Sequence, residues 1–248
     1  MFCLSVIVQI LLESLPISSS THLALLGCAL PQPVDFFAHG PTALMLLIYF
    51  RHDIAAVFAE SSQAWATVWG YGVKLFVAEL MTGVVFLILR ATALTIPLWL
   101  GLAITTFLLF SLLLLPRCIS GRCSKTVSWS VILTVGCVQA LALLPGISRL
   151  ASTLVAARWI GLDPAIGFRL SCALQVPPFG AAALLGLWQI SRVPDYHTLL
   201  SPQCIAALLL AMVGGYLLLR LVDRLYRDDR LWIFGCYMLI PLMIALFF

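Results

Sequence analysis

Charge is scarce in this sequence. Asp, Glu, Lys and Arg make up only 10% of its 248 residues, whereas a soluble domain carries about a quarter. With a mean hydropathy of +1.10, that shortage excludes an ordinary soluble domain and points to an integral membrane protein. Long polar intervals are missing as well, so the chain reads as a single polytopic membrane domain over 1–248. Its Lys and Arg residues are scattered singly, which leaves no footprint for nucleic acid. The N-terminal stretch MFCLSVIVQILLESLP lacks a basic start, contains Glu13 and is followed by no small-residue cleavage site. It is therefore expected to stay in the mature protein rather than act as a signal peptide.

Cysteine is present, but not as a framework. Most of the eight cysteines lie inside apolar runs, where a free thiol behaves as a small hydrophobe. Cys118 and Cys123 flank a polar loop as C-x4-C, a spacing that could bind a metal or pair, but no His or further Cys lies nearby. All eight are expected to be free thiols.

A membrane-crossing helix needs roughly 20 apolar residues. Residues 1–12 and 23–30 are too short for that and are separated by Pro16 and a serine run, the pattern of a re-entrant helical hairpin. Residues 34–50 are just long enough to span. The run 70–116, broken at Arg90 and Pro97, gives two spans. A second broken unit covers 127–162, interrupted at Pro145-Gly146, and three further spans lie near 164–190, 203–220 and 231–248. The expected fold is thus all-α, with six spanning helices and two re-entrant hairpins.

Basic residues favour cytoplasmic loops. Nine of them (Arg51, Lys74, Arg117, Arg122, Lys125, Arg220, Arg224, Arg227, Arg230) fall on one side of this scheme, and only Arg90 and Arg192 on the other. That split puts 51–73, 116–126 and 220–230 inside and both termini outside. The two hairpins then enter from opposite faces, and their breaks resemble each other: LPISSS at 15–20 and LPGIS at 144–148, each preceded by a Gln, Gln9 and Gln139. The chain therefore reads as an inverted-topology repeat, repeat 1 about 1–116 and repeat 2 about 127–248. Such repeats place their sites near the midplane, where helix breaks meet. LESLPISSSTH (12–22) accordingly reads as a buried site rather than a loop.

A helix that restarts after a break offers free N–H groups to an anion. Ser18, Ser19 and Ser20 can cap one restart and Ser148 the other. Arg149 adds a planar fork suited to phosphate, with Ser152 and Thr153 one turn further on. Gln9 and Glu13, four apart, share a helical face. Ser19 and His22, three apart, can meet as nucleophile and base. The carboxylate can orient the His or hold a divalent cation. Plainer readings stand beside these: serine runs cap helices, an intramembrane Arg can bridge carbonyls, a lone His is commonly structural, and Asp35 and His39 can simply pair with each other. Glu79 is costly in its apolar helix and has no assigned role.

Three stretches resemble the bacterial undecaprenyl-pyrophosphate phosphatases of the BacA (bacitracin-resistance) type: QILLESLPISSSTH (9–22), VDFFAHGPTALMLLIYFR (34–51) and QALALLPGISRLAST (139–153). They are similar to that family's [E/Q]-x-x-x-E motif running into FLPISSTGH, its FDxxxHxGTLxAxxxYFR and its PGxSRSxxT signature. The likeness implies hydrolysis of the terminal phosphate of undecaprenyl pyrophosphate at the outer face of the bacterial cytoplasmic membrane, aided by Mg²⁺ or Ca²⁺, in a possible homodimer. Carried over, Glu13, Ser19, His22 and Arg149 are catalytic, Ser18, Ser148 and Thr153 bind phosphate, and Gln9 with Glu13 hold the metal. The chain departs from the pattern at Ser14, Thr21 and Leu150-Ala151, leaving the charged and nucleophilic positions intact. A lipid-phosphate transporter or flippase with the same phosphate cradle is the rival reading, and an inert membrane scaffold a third.

Overall fold

The computed structural model describes residues 2–59, 62–115, 123–192 and 201–247. Among them every named element is helical, and the one extended pairing is an isolated bridge between Ser124 and Leu162. The helices are α1 (Phe2–Glu13), α2 (Ser19–Leu25), α3 (Gln32–Tyr49), α4 (Arg51–Ala59), α5 (Ser62–Thr92), α6 (Leu98–Ser111), α7 (Trp129–Leu141), α8 (Arg149–Trp159), α9 (Pro164–Ala173), α10 (Val176–Ile190), α11 (Pro202–Arg227) and α12 (Ile233–Phe247). In the described residues, Trp69–Thr92, Pro164–Ile190 and Pro202–Arg227 are long and apolar enough to cross a membrane; shorter apolar helices accompany them. Large apolar side chains such as Trp69, Phe76, Leu87, Leu184 and Leu210 face outward, the surface a lipid solvent stabilises. This is a helical membrane protein.

Both expected breaks are present. Pro16 lies between α1 and α2, and Pro145-Gly146 between α7 and α8, with Gly146 at φ 86. The 164–190 segment has the length of the expected single span but is bent within it. Pro177 lacks an N–H and its ring crowds the carbonyl four residues back, so α9 ends at Ala173 and α10 starts at Val176. The resulting bend sets Gln175 and Phe179 against the site. The serine cap is half right. Ser148 Oγ accepts from Ala151 N at 3.3 Å, but Ser18 makes no side-chain cap, because its hydroxyl is held by Thr21 Oγ1 at 2.9 Å.

Small residues let the helices close on each other, as in membrane helix packing generally. α3 packs along α10, where a Cβ on Gly186 would meet Phe37 N at 2.4 Å. α6 docks on the second break: a Cβ on Gly101 would lie 1.9 Å from the Pro145 carbonyl oxygen. Thr105 of α6 then donates to Gly146 O and accepts from Ser148 N, each at 3.0 Å. The break that Pro145-Gly146 opens is thus held in place by α6. The core runs between these helices through Met45, Leu102, Leu109, Leu154, Phe168 and Leu219.

Polar contacts tie together the end of the molecule that carries Lys74, Ser124, Arg158 and Asp229. Lys74 Nζ donates to Val127 O at 2.8 Å, Ser124 N to Gly161 O at 2.9 Å, Arg158 pairs with Asp229 at 2.5 Å, and Arg169 with Asp53 at 3.2 Å. Cys123 at this end is disulfide-bonded, which corrects the expectation of free thiols throughout. It lies outside any helix, in a polar turn, so the rule for thiols packed in apolar helices does not govern it. Cys28, Cys137, Cys172, Cys204 and Cys236 are free, and the loop 116–122 lies outside the described residues.

Candidate active site

The two helix breaks face each other across a cavity of about 460 Å³. From the first break come Glu13, Ile17, Ser18, Ser19, Ser20 and Thr21, with Gln9 one turn back; from the second come Leu144, Pro145, Ile147, Ser148 and Arg149. Asp35 and His39 of α3, Gln175 just before α10 and Phe179 in it close the sides. Of the residues singled out in the sequence, Gln9, Glu13, Ser18, Ser19, Ser148 and Arg149 therefore share one cavity.

His22 and Thr153 are not among its lining residues. His22 Nδ1 donates to the Ser18 carbonyl at 2.6 Å, and its ring stacks 5.7 Å from Tyr237. Its Nε2 is buried without a partner, and no bond joins it to Ser19. Thr153 turns its hydroxyl back to Arg149 O at 3.0 Å and Leu150 O at 3.2 Å, so it braces the first turn of α8. Ser152 likewise bonds to the Ser148 carbonyl.

Glu13 is the more heavily engaged of the two acids that line the cavity. Gln9 Nε2 donates to its Oε1 at 2.7 Å, and Thr42 donates to Oε2. His39 Nδ1 comes within 2.5 Å of Oε1 as an ion pair, without the alignment of a hydrogen bond. The expected pairing of Asp35 with His39 is thereby corrected: His39 makes its ion pair with Glu13, across the α1–α3 interface, because α3 packs against α1 there. Thr42 and His39 were missed as site residues, although both stand in the motif at 34–51.

Arg149 is set deep in the protein, and the surface it keeps faces the cavity. Its guanidinium lies 5.1 Å over the Phe179 ring. Among the described residues no carboxylate is within ion-pair distance and no acceptor takes its N–H groups. The charges that act on it, Glu13 and Glu79, do so from further away. A guanidinium left with open donors in a low-dielectric cavity favours an anion strongly, and phosphate oxygens match its fork. Glu79 itself is held by Gln139 Nε2 at 3.0 Å.

A divalent cation finds partial provision. Gln9 Oε1 is buried without a partner beside the Glu13 carboxylate, a pair of hard oxygens suited to Mg²⁺ or Ca²⁺. The described residues contain no group of three or more His, Cys, Asp or Glu arranged to hold a metal. An ion here would complete its shell with substrate and water oxygens.

Comparison with known proteins shows the family. Residues 2–244 match the family described as bacitracin resistance protein BacA. An undecaprenyl-diphosphatase of Elusimicrobium minutum is 29% identical, covering 93% of this chain and 90% of the relative. Those of Desulfosudis oleivorans (30%, covering 93% and 91%) and Idiomarina loihiensis (32%, covering 75% of each) are similar. The chain belongs to the bacitracin resistance protein BacA family.

Proposed function

We propose that this protein is an undecaprenyl-diphosphatase: it hydrolyses undecaprenyl pyrophosphate to undecaprenyl phosphate and inorganic phosphate, returning the lipid carrier to cell-wall synthesis. The observation that carries this reading is the Arg149 guanidinium, unpaired and facing a cavity that also holds Ser19 and Glu13. Family membership and the names of the relatives support it. Purified protein in detergent should release phosphate from the lipid pyrophosphate. Retention of substrate with no release above a Ser19→Ala control would favour the flippase reading, which needs the cradle but no nucleophile.

In this reading Ser19 attacks the terminal phosphorus and Arg149 stabilises charge on the transferring group, since phosphoryl transfer depends on positioning and electrostatics. Ser18 and Ser148 line the cradle. His22 holds the turn that presents Ser19, because its Nδ1 is committed to the Ser18 carbonyl. Gln9 and Glu13 would hold Mg²⁺ or Ca²⁺, which when bound would neutralise charge on the phosphate oxygens. EDTA is expected to abolish phosphate release and millimolar divalent ion to restore it. Full activity in EDTA would remove the metal and leave Glu13 to serve an imidazole alone.

The fold we propose is an inverted repeat of two re-entrant hairpins and six spans, repeat 1 about 1–116 and repeat 2 about 127–248. Exchange of helix partners supports it: α1 packs on α11 as α7 does on α5, and α2 on α12 as α8 does on α6. We further propose that the protein sits in the cytoplasmic membrane with the cavity opening outward and the basic end inside. Disulfides are uncommon in the cytosol, which makes Cys123 the decisive position. With a single cysteine kept at 123 in an otherwise cysteine-free chain, an impermeant thiol reagent added to sealed cells is expected to leave it unlabelled. Labelling there would reverse the orientation.

A further inference from the structure

Glu79 is an ionisable side chain that the reaction as set out above leaves without a task. It stands near the middle of the membrane-crossing stretch Trp69–Thr92 of α5, where a carboxylate is expensive and marks a function by default. Phe76 and Leu80 of the same helix face outward, whereas Ala78 and Thr82 are buried. α5 and α7 close tightly there: a Cβ on Gly136 would meet the Ala78 Cβ at 3.0 Å. One turn on, the buried Gln139 donates from Nε2 to Glu79 Oε1 at 3.0 Å and to Thr82 Oγ1 at 3.3 Å. This repeats the carboxamide-on-carboxylate grouping of Gln9 and Glu13. Here, however, neither partner is among the residues that line the cavity, so Glu79 does not touch a substrate bound there.

Its field reaches the cavity through Arg149. α7 carries Gln139 and ends at Leu141, the Pro145-Gly146 break follows, and α8 starts at Arg149. Glu13 and Glu79 are the two carboxylates whose charges act on that guanidinium, each from beyond ion-pair distance. Glu13 is already paired with His39. Glu79 has no cation within ion-pair distance among the described residues, which leaves its charge to Arg149. We infer that Glu79 is the counter-charge of Arg149, a positioning residue that sets the cradle's grip on phosphate from outside the cavity. Held by Gln139, the carboxylate offsets part of the guanidinium's charge when the cavity is empty. When the cavity is full it competes with the phosphate oxygens for that charge, so the cradle lets inorganic phosphate go. The inference rests on the phosphatase reading, which makes phosphate the product. In a protein interior, a unit charge beyond ion-pair distance still changes an ion's affinity by about ten-fold.

The test is product inhibition by inorganic phosphate, read from formation of the lipid monophosphate by the purified full chain. The shift in melting temperature that inorganic phosphate gives without lipid is measured beside it. Glu79→Gln keeps an acceptor for Gln139 and loses only the charge. Its Ki for phosphate is expected to fall about ten-fold and KM to fall with it. Its kcat should be no higher than wild type, since the field acts on bound phosphate in ground and transition states alike. Glu79→Ala removes the charge by a second route and is expected to tighten phosphate likewise, should the glutamine chain fail to fold. Glu79→Asp restores a carboxylate and is expected to bring Ki back toward wild type. A residue that only props α5 against α7 would loosen phosphate or leave Ki alone when neutralised, so the sign decides. An unchanged or raised Ki in a folded Glu79→Gln or Glu79→Ala chain would overturn the inference. Absence of lipid monophosphate from the wild type would strike the phosphatase reading instead, and the melting shift with phosphate would still test the counter-charge.

Discussion

Arg149→Lys is expected to release phosphate at least about 100-fold more slowly than wild type, nearly as slowly as Arg149→Ala. Removing one preorganised donor to developing charge costs roughly 10²–10³-fold, or about 2.7–4 kcal/mol. Lysine keeps the charge, so the loss must come from geometry. The guanidinium presents two parallel N–H groups to two phosphate oxygens, whereas an ammonium acts as a point charge. It also lies 5.1 Å over the Phe179 ring, and a planar cation keeps that stacking while its fork stays aimed into the cavity. The fall should appear in kcat more than in KM, because the charge it answers grows in the transition state. Ser148→Ala offers a useful contrast. Its hydroxyl caps α8 at Ala151 N, so its removal is expected to cost about 1 kcal/mol of stability and only a neutral hydrogen bond in the cradle. A lysine variant working at near wild-type rate would refute the bidentate role.

The reach of the sequence in this protein follows from what a bilayer does to hydrophobic pattern. Breaks were legible because proline and glycine act locally: Pro16 and Pro145-Gly146 disfavour a continuous helix, and the polar residues beside them are conspicuous in an apolar chain. That local logic gave the two helix breaks and the polar residues that line the cavity beside them. Which helix faces which partner was not legible. A helix in lipid is apolar on its outer face and on its packed face alike, so no stripe distinguishes them. The contact of Gly101 with the Pro145 carbonyl and the clamp of Thr105 on Gly146 and Ser148 join residues more than forty apart, and no local signal announces them.

The same limit explains the errors at particular side chains. Asp35 and His39 are one turn apart, so sequence spacing pairs them. The structure instead brings His39 to Glu13, because packing of α3 on α1 decides which carboxylate is near. Ser18 had the right residue type and position for a cap, and Thr21 competes for its hydroxyl. His22 falls one turn after Ser19, yet its ring turns to the Ser18 carbonyl. The double proline at 177–178 was visible, but its consequence, a bend that delivers Phe179 to both His39 and Arg149, depends on where α10 lies.

Ser19→Ala is expected to bring phosphate release down to background, and this outcome decides the class of reaction. Ser19 follows the Pro16 break, is partly exposed and lines the cavity opposite Arg149. Unlike Ser18, whose hydroxyl is engaged by Thr21, Ser19 has no hydrogen bond to its hydroxyl among the described residues, so its oxygen is free to attack. A serine nucleophile divides hydrolysis into two steps through a phosphoserine, and that intermediate is measurable. Acid-quenching wild type with substrate labelled in its terminal phosphate should leave label on the protein, and the Ser19→Ala chain should carry none. Ser19→Cys keeps an attacking atom but changes its size and the bond it forms with phosphorus, so slow turnover with a labile thiophosphoryl adduct is expected. Water as the direct nucleophile predicts the opposite. Ser19→Ala would then retain substantial turnover, since it would lose only one neutral contact worth about 1 kcal/mol, or roughly five-fold, and no label would stay with the wild-type chain.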